Sequence, residues 1–187
     1  MRGILLLKWN FPQISYMFDR LMLPHPDEQS LAVNYAIITV SDTRTKETDK
    51  SGRLIRQLLT DAGHQLITYS IVKDEPKDIE ALLIKLDSQS NLEAIIFNGG
   101  TGIAPRDTTY DVVSKWLTKT LPGFGEIFRY LSYQEIGSRA IASRAVAGVT
   151  NQKLIFSLPG SSNAVKLAVE RLILPELNHL VKQVRGT

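Results

Sequence analysis

The residues with the clearest chemical potential lie in one short segment, FNGGTGIAPRD, at positions 97–107. Each glycine costs backbone entropy unless a turn or a close approach requires it. A glycine loop between a strand and a helix presents backbone N–H groups that favour anions. Arg106 can hold a phosphate through two hydrogen bonds, and Asp107 can bind Mg²⁺ through oxygen. The segment therefore predicts a phosphate-binding loop beside a metal-binding carboxylate.

The two best-known phosphate-loop motifs do not match this segment. A Walker A loop needs GK[ST] after its glycines, and the dinucleotide fingerprint needs a glycine where this chain has Pro105. A structural explanation stays open, because the glycines could form a tight turn and Arg106 could form a loop ion pair. In that explanation Asp107 caps the helix that is predicted from Thr108.

Alternating strands and helices must position this loop. Short apolar runs predict buried strands, and apolar residues at helical spacing predict the helices between them. The predicted strands cover residues 35–40, 66–72, 94–97, 145–149 and 154–158. The predicted helices cover 49–62, 108–117, 122–134 and 175–184, and two more begin near 76 and 162. This order predicts an α/β fold, a three-layer sandwich with a mostly parallel central sheet.

Three polar loops follow three of the predicted strands. They are residues 41–44, 98–107 and 159–162. Ligands of such sheets bind beyond the carboxyl ends of the strands, so we expect the three loops to form one site. Its candidate binding residues are Ser41, Asp42, Gly99, Gly100, Thr101, Gly102, Arg106, Pro159, Gly160, Ser161 and Ser162.

Length and composition narrow the class of protein. The 187 residues suit one domain, and we expect residues 1–31 to be an extension that is poorly structured or precedes the true start. The apolar run near the N-terminus is too short for an export signal or a membrane span. The net charge of +3 suits an anionic ligand, but no cluster of basic and aromatic residues indicates nucleic acid. The absence of cysteine fits a cytoplasmic protein.

Several short motifs follow one another along residues 32–187. They are TVSDTR at 39–44, DKSG at 49–52, VKDE at 72–75, GGTG at 99–102 with Arg106-Asp107, PGFGE at 122–126, SR at 143–144 and LPGS at 158–161. Together and in this order they resemble the MoaB/MogA family of molybdenum cofactor biosynthesis. The stretch FRYLSYQEIGSRA at 128–140 is nearer MoaB than MogA. The chain departs from the family pattern at Phe97-Asn98, where Thr-Thr is usual, and at Thr108, where Val is usual.

The resemblance implies a molybdopterin-binding-domain fold and an activity. The activity is adenylylation of molybdopterin with Mg-ATP, in which Asp74 and Asp107 are the catalytic and metal-binding residues. Glu126 is then a further substrate-binding residue. Without the resemblance, Asp74 reads as the N-cap of the helix that begins at Pro76. The resemblance also implies a trimer or hexamer, and contact with other enzymes of the cofactor pathway.

Two alternatives remain from the sequence. One is a non-catalytic protein that binds or carries molybdopterin. The other is a pocket of this fold that serves another nucleotide-like substrate, as in competence-damage-type proteins, although the SDTR and LPGS motifs argue against it.

Overall fold

The computed structural model describes residues 31–186, so the predicted extension lies almost wholly outside the described part. Six strands form one sheet in the order β2-β1-β3-β6-β5-β4. The strands are β1 (Asn34–Val40), β2 (Gln65–Val72), β3 (Ala94–Asn98), β4 (Lys119–Thr120), β5 (Val146–Thr150) and β6 (Lys153–Leu158). The helices are α1 (Lys50–Asp61), α2 (Pro76–Asp87), α3 (Thr109–Trp116), α4 (Pro122–Ile136), α5 (Ser162–Ala168) and α6 (Leu174–Arg185).

The sheet is mostly parallel, as the sequence predicts. Strands β2, β1, β3 and β6 are parallel, whereas β5 and β4 add an antiparallel edge. The antiparallel edge follows from the short connection between β5 and β6. A two-residue hairpin reverses the chain, while a parallel neighbour would need a longer crossover.

Both faces of the sheet are covered by helices. Along β1, Tyr35 and Ile37 join one buried cluster, and Ala36 and Ile38 join the other. Successive side chains of a strand point to opposite faces, so this alternation requires apolar helix faces on both sides. The first cluster contains α1, α4, α5 and α6, and the second contains α2 and α3. The three-layer sandwich is therefore confirmed.

Three short elements have no counterpart in the sequence prediction. They are strand β4, a 3₁₀ helix at Gly137–Ala142 and a π-helical turn at Val169–Ile173, between α5 and α6. Each is too short to give a hydrophobic period. Within residues 31–186, no helix has the length and apolar character needed to cross a membrane.

Candidate functional site

The three polar loops meet at the carboxyl ends of β1, β3 and β6, which are neighbours in the sheet. Gly99 lies at the centre, and its N–H donates to the Leu158 carbonyl over 3.0 Å. Its φ is +108°, and a Cβ there would lie 2.2 Å from the carbonyl oxygen of Val40. Gly160 packs on Gly99 from the other side, since its own Cβ would lie 3.1 Å from the Gly99 Cα. Only glycine allows this approach of three backbones.

Two adjacent cavities open at this edge. The glycine-loop cavity, about 380 Å³, lies between the loop after β3 and the C-terminal half of α4 with its 3₁₀ extension. It is lined by Gly99–Gly102, Asp107, Ile136, Arg139, Ser143 and Pro159–Ser161, among others. The α1 cavity, about 210 Å³, is lined by Ser41, Arg44, Lys50, Ser51 and Gly160–Ser162, with Thr39, Asp49 and Asn98. Gly160 and Ser161 line both cavities.

Asp74 does not cap the helix that follows it. The N-cap of α2 is Glu75, which makes no side-chain cap bond. Asp74 Oδ1 instead accepts from the N–H and Oγ1 of Thr108, at 3.0 and 2.8 Å, and from Thr109 Oγ1 at 3.4 Å. The carboxylate therefore caps α3 from another element, and Thr108, a departure from the family pattern, supplies two of its donors. The other oxygen, Oδ2, faces Gly100, where a Cβ would lie 2.3 Å away.

Asp107 does not cap α3 either, so that structural explanation is wrong. Its Oδ2 accepts from the Ala104 N–H at 3.0 Å, while its own N–H donates to the Ala104 carbonyl at 2.9 Å. These reciprocal bonds close a tight turn within the loop, and Thr108 is the N-cap residue of α3. The carboxylate packs against Gly102, where a Cβ would lie 2.5 Å from Oδ2, and it lines the glycine-loop cavity.

Arg144 holds the outer side of the glycine loop. Its guanidinium donates to the carbonyls of Thr101 and Asp107, at 3.3 and 3.0 Å, and to both carboxylate oxygens of Asp111, at 3.1 Å. The guanidinium also lies 4.7 Å from the ring centroid of Tyr110. A planar, bidentate donor of this kind fixes geometry as well as charge. Arg144 therefore ties both ends of the 101–107 segment to α3.

A buried polar network supports the α1 cavity. Asp49 Oδ2 accepts from Thr39 Oγ1 at 2.5 Å and from the Tyr69 hydroxyl at 2.6 Å, and Asp49 Oδ1 caps α1 through the Gly52 N–H at 2.8 Å. Asn98, the other departure from the family pattern, donates to Thr39 Oγ1 at 2.9 Å. Burial and the Asp49 carboxylate raise the pKa of Tyr69, so its phenol stays protonated and donates.

The charges around the cavities favour anions. Arg44 and Lys50 line the α1 cavity, and Arg139 lines the glycine-loop cavity. Within the described residues none of the three forms a salt bridge. Arg106, in contrast, pairs with Asp42 and so joins the loops after β1 and β3, as the structural explanation of Arg106 predicts.

The predicted site residues divide into three groups. Ser41, the glycines, Thr101, Asp107 and the 159–162 loop line the cavities. Asp42, Arg106 and Asp74 line neither cavity and join the loops around them. Glu126 is exposed on α4 and lines neither cavity, so its binding role stays a prediction. Ser161 caps α5 by accepting from the Ala164 N–H at 3.3 Å, and its place in both cavities leaves it able to bind as well.

Sequence reasoning did not assign roles to Asp49, Arg139 or Arg144. Asp49 and Arg144 stand in the DKSG and SR motifs, which indicated a resemblance but no contact. Arg139 lies in the 3₁₀ helix, which has no periodic signal. Only the placement of these elements against the glycine loop reveals their positions.

Comparison with known proteins defines the class of protein. Residues 36–179 match the family described as "Probable molybdopterin binding domain". The chain therefore belongs to the MoaB/MogA family of molybdenum cofactor biosynthesis proteins.

Within that family the similarity is to proteins of the B type. The chain is 55% identical to molybdenum cofactor biosynthesis protein B of Halalkalibacterium halodurans over 161 residues, which is 86% of this chain and 95% of that protein. It is 51% identical to the protein of that name from Bacillus subtilis over 162 residues, again 86% and 95%.

Solved structures agree with this assignment. A crystal structure of molybdenum cofactor biosynthesis protein B has a TM-score of 0.82 and 46% identity, with 85% of this chain and all of that chain covered. The tungsten cofactor synthesizing protein MoaB from Pyrococcus furiosus has a TM-score of 0.76 and 34% identity, covering 84% and 99%.

Proposed function

We propose that the protein binds molybdopterin and adenylylates it with Mg-ATP. The observation that carries the proposal is the meeting of three strand-end loops around Gly99, with one cavity on each side of Gly160 and Ser161. Two cavities that share a wall can hold two substrates with their phosphates adjacent. The cations Arg44, Lys50 and Arg139, which form no salt bridge within residues 31–186, suit such a pair of anionic ligands.

The proposed reaction joins two phosphates. An oxygen of the terminal phosphate of molybdopterin attacks the α-phosphorus of ATP, the bond from that phosphorus to the β-bridging oxygen breaks, and pyrophosphate leaves. The nucleophile is already anionic, so no strong general base is needed. Neither His64 nor His179 lines either of the two cavities. The work of the protein is positioning and neutralisation of charge.

The residues at the glycine loop fit Mg²⁺ bound together with a nucleotide. In the described part of the chain no three acidic, histidine or cysteine side chains form a metal site by themselves. Mg²⁺ is commonly held by one or two carboxylates plus substrate phosphates. Asp74 and Asp107 would be those carboxylates, since each has one oxygen that accepts no hydrogen bond from described residues. Bound Mg²⁺ would supply positive charge to the reacting phosphates.

The chain itself would orient the substrates. Gly99–Gly102 line the larger cavity, and the backbone N–H groups of Gly100–Gly102 would hold phosphate, since the Gly99 N–H already donates to the Leu158 carbonyl. The loop is kept in place by Arg144 on its outer side and by the turn that Asp107 closes. Preorganised donors of this kind need no rearrangement when charge develops.

A non-catalytic molybdopterin carrier is the second candidate. It is favoured by the structural role of Asp74, whose Oδ1 accepts three hydrogen bonds from Thr108 and Thr109 at the start of α3. The test is to incubate the purified protein with molybdopterin, Mg²⁺ and ATP and to measure pyrophosphate and pterin products. The proposal expects both products, and removal of Mg²⁺ with a chelator should stop them. Tight pterin binding without pyrophosphate would establish the carrier instead.

A further inference from the structure

The floor of the α1 cavity carries a hydrogen-bond acceptor that the proposed function does not use. Asn98 stands at the end of β3, in register with Thr39 of β1, and lines this cavity. Only 1% of its surface is exposed. Its side-chain oxygen, Oδ1, accepts no hydrogen bond from residues 31–186, yet it is not fully enclosed. Oδ1 is therefore the part of Asn98 that reaches the cavity.

A chain of hydrogen bonds fixes the orientation of the Asn98 amide. Thr39 Oγ1 donates its one proton to Asp49 Oδ2 at 2.5 Å, so it can only accept from Asn98. Asn98 Nδ2 donates to Thr39 Oγ1 at 2.9 Å and also lies 3.5 Å from the Ile38 carbonyl oxygen, a second acceptor. A flipped amide would place its oxygen against both acceptors. The nitrogen therefore points to β1 and the oxygen to the cavity.

The other polar groups on the floor of the cavity are already engaged. The two oxygens of Asp49 together accept three hydrogen bonds. Ser51 Oγ donates to the Gly160 carbonyl at 2.8 Å. Arg44 and Lys50, in contrast, line the same cavity and attract an anion. The cavity thus suits a ligand that carries an N–H donor at one end and a negative charge at the other.

We infer that Asn98 Oδ1 accepts a hydrogen bond from the exocyclic amino group of a heterocyclic substrate in the α1 cavity. The inference rests on the proposed function, because both of its substrates carry such a group, ATP on adenine and molybdopterin on the pterin ring. A carbonyl in the same place would set a second acceptor against Oδ1, and the amide cannot turn without losing its bond to Thr39. Asn98 is then a specificity-determining residue.

The test is calorimetric binding of two pairs of probes to the full chain with Mg²⁺. One pair is ATP and inosine triphosphate, whose base has a carbonyl in place of the amino group. The other pair, pterin-6-carboxylate and lumazine-6-carboxylate, differs in the same way. The wild type should bind the amino member of one pair about 10- to 100-fold more tightly, the usual effect of leaving one buried acceptor unpaired. The pair that shows this preference identifies the ring in the α1 cavity.

Three variants assign the preference to Asn98. Asn98→Thr should lose it, because a shorter hydroxyl side chain can both donate and accept. Asn91→Thr, the same change at an exposed position before β3, should keep it. If Asn98→Thr does not fold, Asn98→Ser takes its place and should lose the preference for the same reason.

Failure of this inference is distinguishable from failure of the proposed function. Equal binding within both pairs, or a preference that Asn98→Thr retains, would overturn the inference and leave the proposed function standing. 2′-Deoxy-ATP should bind like ATP; if it is rejected while inosine triphosphate is accepted, the donor is a sugar hydroxyl and the inference is wrong. If none of the probes binds, the proposed function fails and the inference fails with it.

Discussion

Asp107 is the residue that most directly links the fold to the proposed chemistry. Its Oδ2 closes a turn of the loop, and its Oδ1 is left without a bond from described residues beside the larger cavity. Asp107→Asn keeps the shape and the oxygen that accepts from Ala104, but removes the charge. We expect a loss of about 10²–10³ in kcat, the usual effect of one preorganised charge contact.

Steady-state assays of pyrophosphate release measure this effect. Asp61→Asn, at an exposed position at the end of α1, is the matched control and should keep full turnover. If Asp107→Asn turns over at the wild-type rate, Asp107 does not bind the metal ion.

Arg144 is a positioning residue, since it touches the loop and neither cavity. Arg144→Ala should lower kcat by about 10- to 100-fold, because a shift of the substrate-binding loop by about 1 Å is enough for such a loss. Millimolar guanidinium should restore part of the activity by refilling the vacated space. If guanidinium restores the activity of Arg144→Ala without changing its Tm, the residue acts by positioning the loop and not through general stability. A lower Tm of Arg144→Ala with no restoration of activity would contradict this role.

His64 should make stability depend on pH. Its Nδ1 accepts from the Val33 N–H at 3.2 Å, and burial lowers its pKa below the ordinary 6.5. Since the unfolded chain binds the proton more tightly, this contribution is fully present above pH 6.5 and is lost as the pH falls through the folded-state pKa. The limiting slope for one group is about 1.4 kcal/mol per pH unit.

Urea unfolding between pH 8 and pH 5 measures this slope. The free energy of unfolding of the wild type should fall with this additional slope as the pH is lowered, and His64→Asn should lack it. His179→Gln, at an exposed position, should follow the wild type. Parallel pH profiles for wild type and His64→Asn would contradict the assignment.

At the scale of elements, Gly52 allows α1 to approach the sheet. A Cβ at this position would lie 2.4 Å from Asp49 Oδ2, 2.5 Å from the Tyr69 hydroxyl and 2.8 Å from Thr39 Oγ1. Gly52→Ala should therefore destabilise the fold by about 1–3 kcal/mol, the usual cost of overpacking. Denaturant unfolding measures it.

Gly123 is the matched control for Gly52, since it also lies in the first turn of a helix but has open space where a Cβ would stand, with no packing neighbour within 4 Å. Gly123→Ala should be neutral or stabilising by up to about 1 kcal/mol, because alanine loses less entropy in a helix. Equal free energies of unfolding for Gly52→Ala and Gly123→Ala would contradict this, because they would show that the Asp49 network can shift to admit a methyl group at little cost.

The elements were predictable where the hydrophobic period was long. Strands β1 and β3 and helix α1 lie within one or two residues of their predicted bounds. The two caps assigned to Asp74 and Asp107 could not be corrected from the sequence, because Asp74 reaches Thr108 across 34 positions. The contacts of Arg144 and the Asp49 network are of the same long-range kind. The sequence thus indicates which loops meet, and tertiary packing decides which side chains support them.

At the scale of the whole molecule, α4 carries an exposed apolar stripe. Ile127, Tyr130, Tyr133 and Ile136 are each at least half exposed, whereas Phe128 is buried. Trp116, at the end of α3, is half-buried and packs on the core. A contiguous apolar stripe seldom stays exposed on a monomer, and aromatic residues are enriched at interface centres.

We therefore expect a homo-oligomer that buries the α4 stripe, and the family resemblance implies that it is a trimer or a dimer of trimers. Light scattering at micromolar concentration should give three or six times the 20.9 kDa chain mass. Tyr130→Glu with Tyr133→Glu should shift the mass towards the monomer. A wild-type mass of one chain would defeat the prediction, and a stable dimer would show a different assembly.

The most direct test of the central claim follows the label of ATP. The protein is incubated with molybdopterin, Mg²⁺ and ATP that carries ³²P either at the α- or at the γ-phosphorus, and the pterin fraction is separated and counted. Adenylylation predicts label in the pterin fraction from α-labelled ATP only, with γ-label released in pyrophosphate. Label that enters the pterin from γ-labelled ATP, or an unlabelled pterin with both nucleotides, would contradict the account.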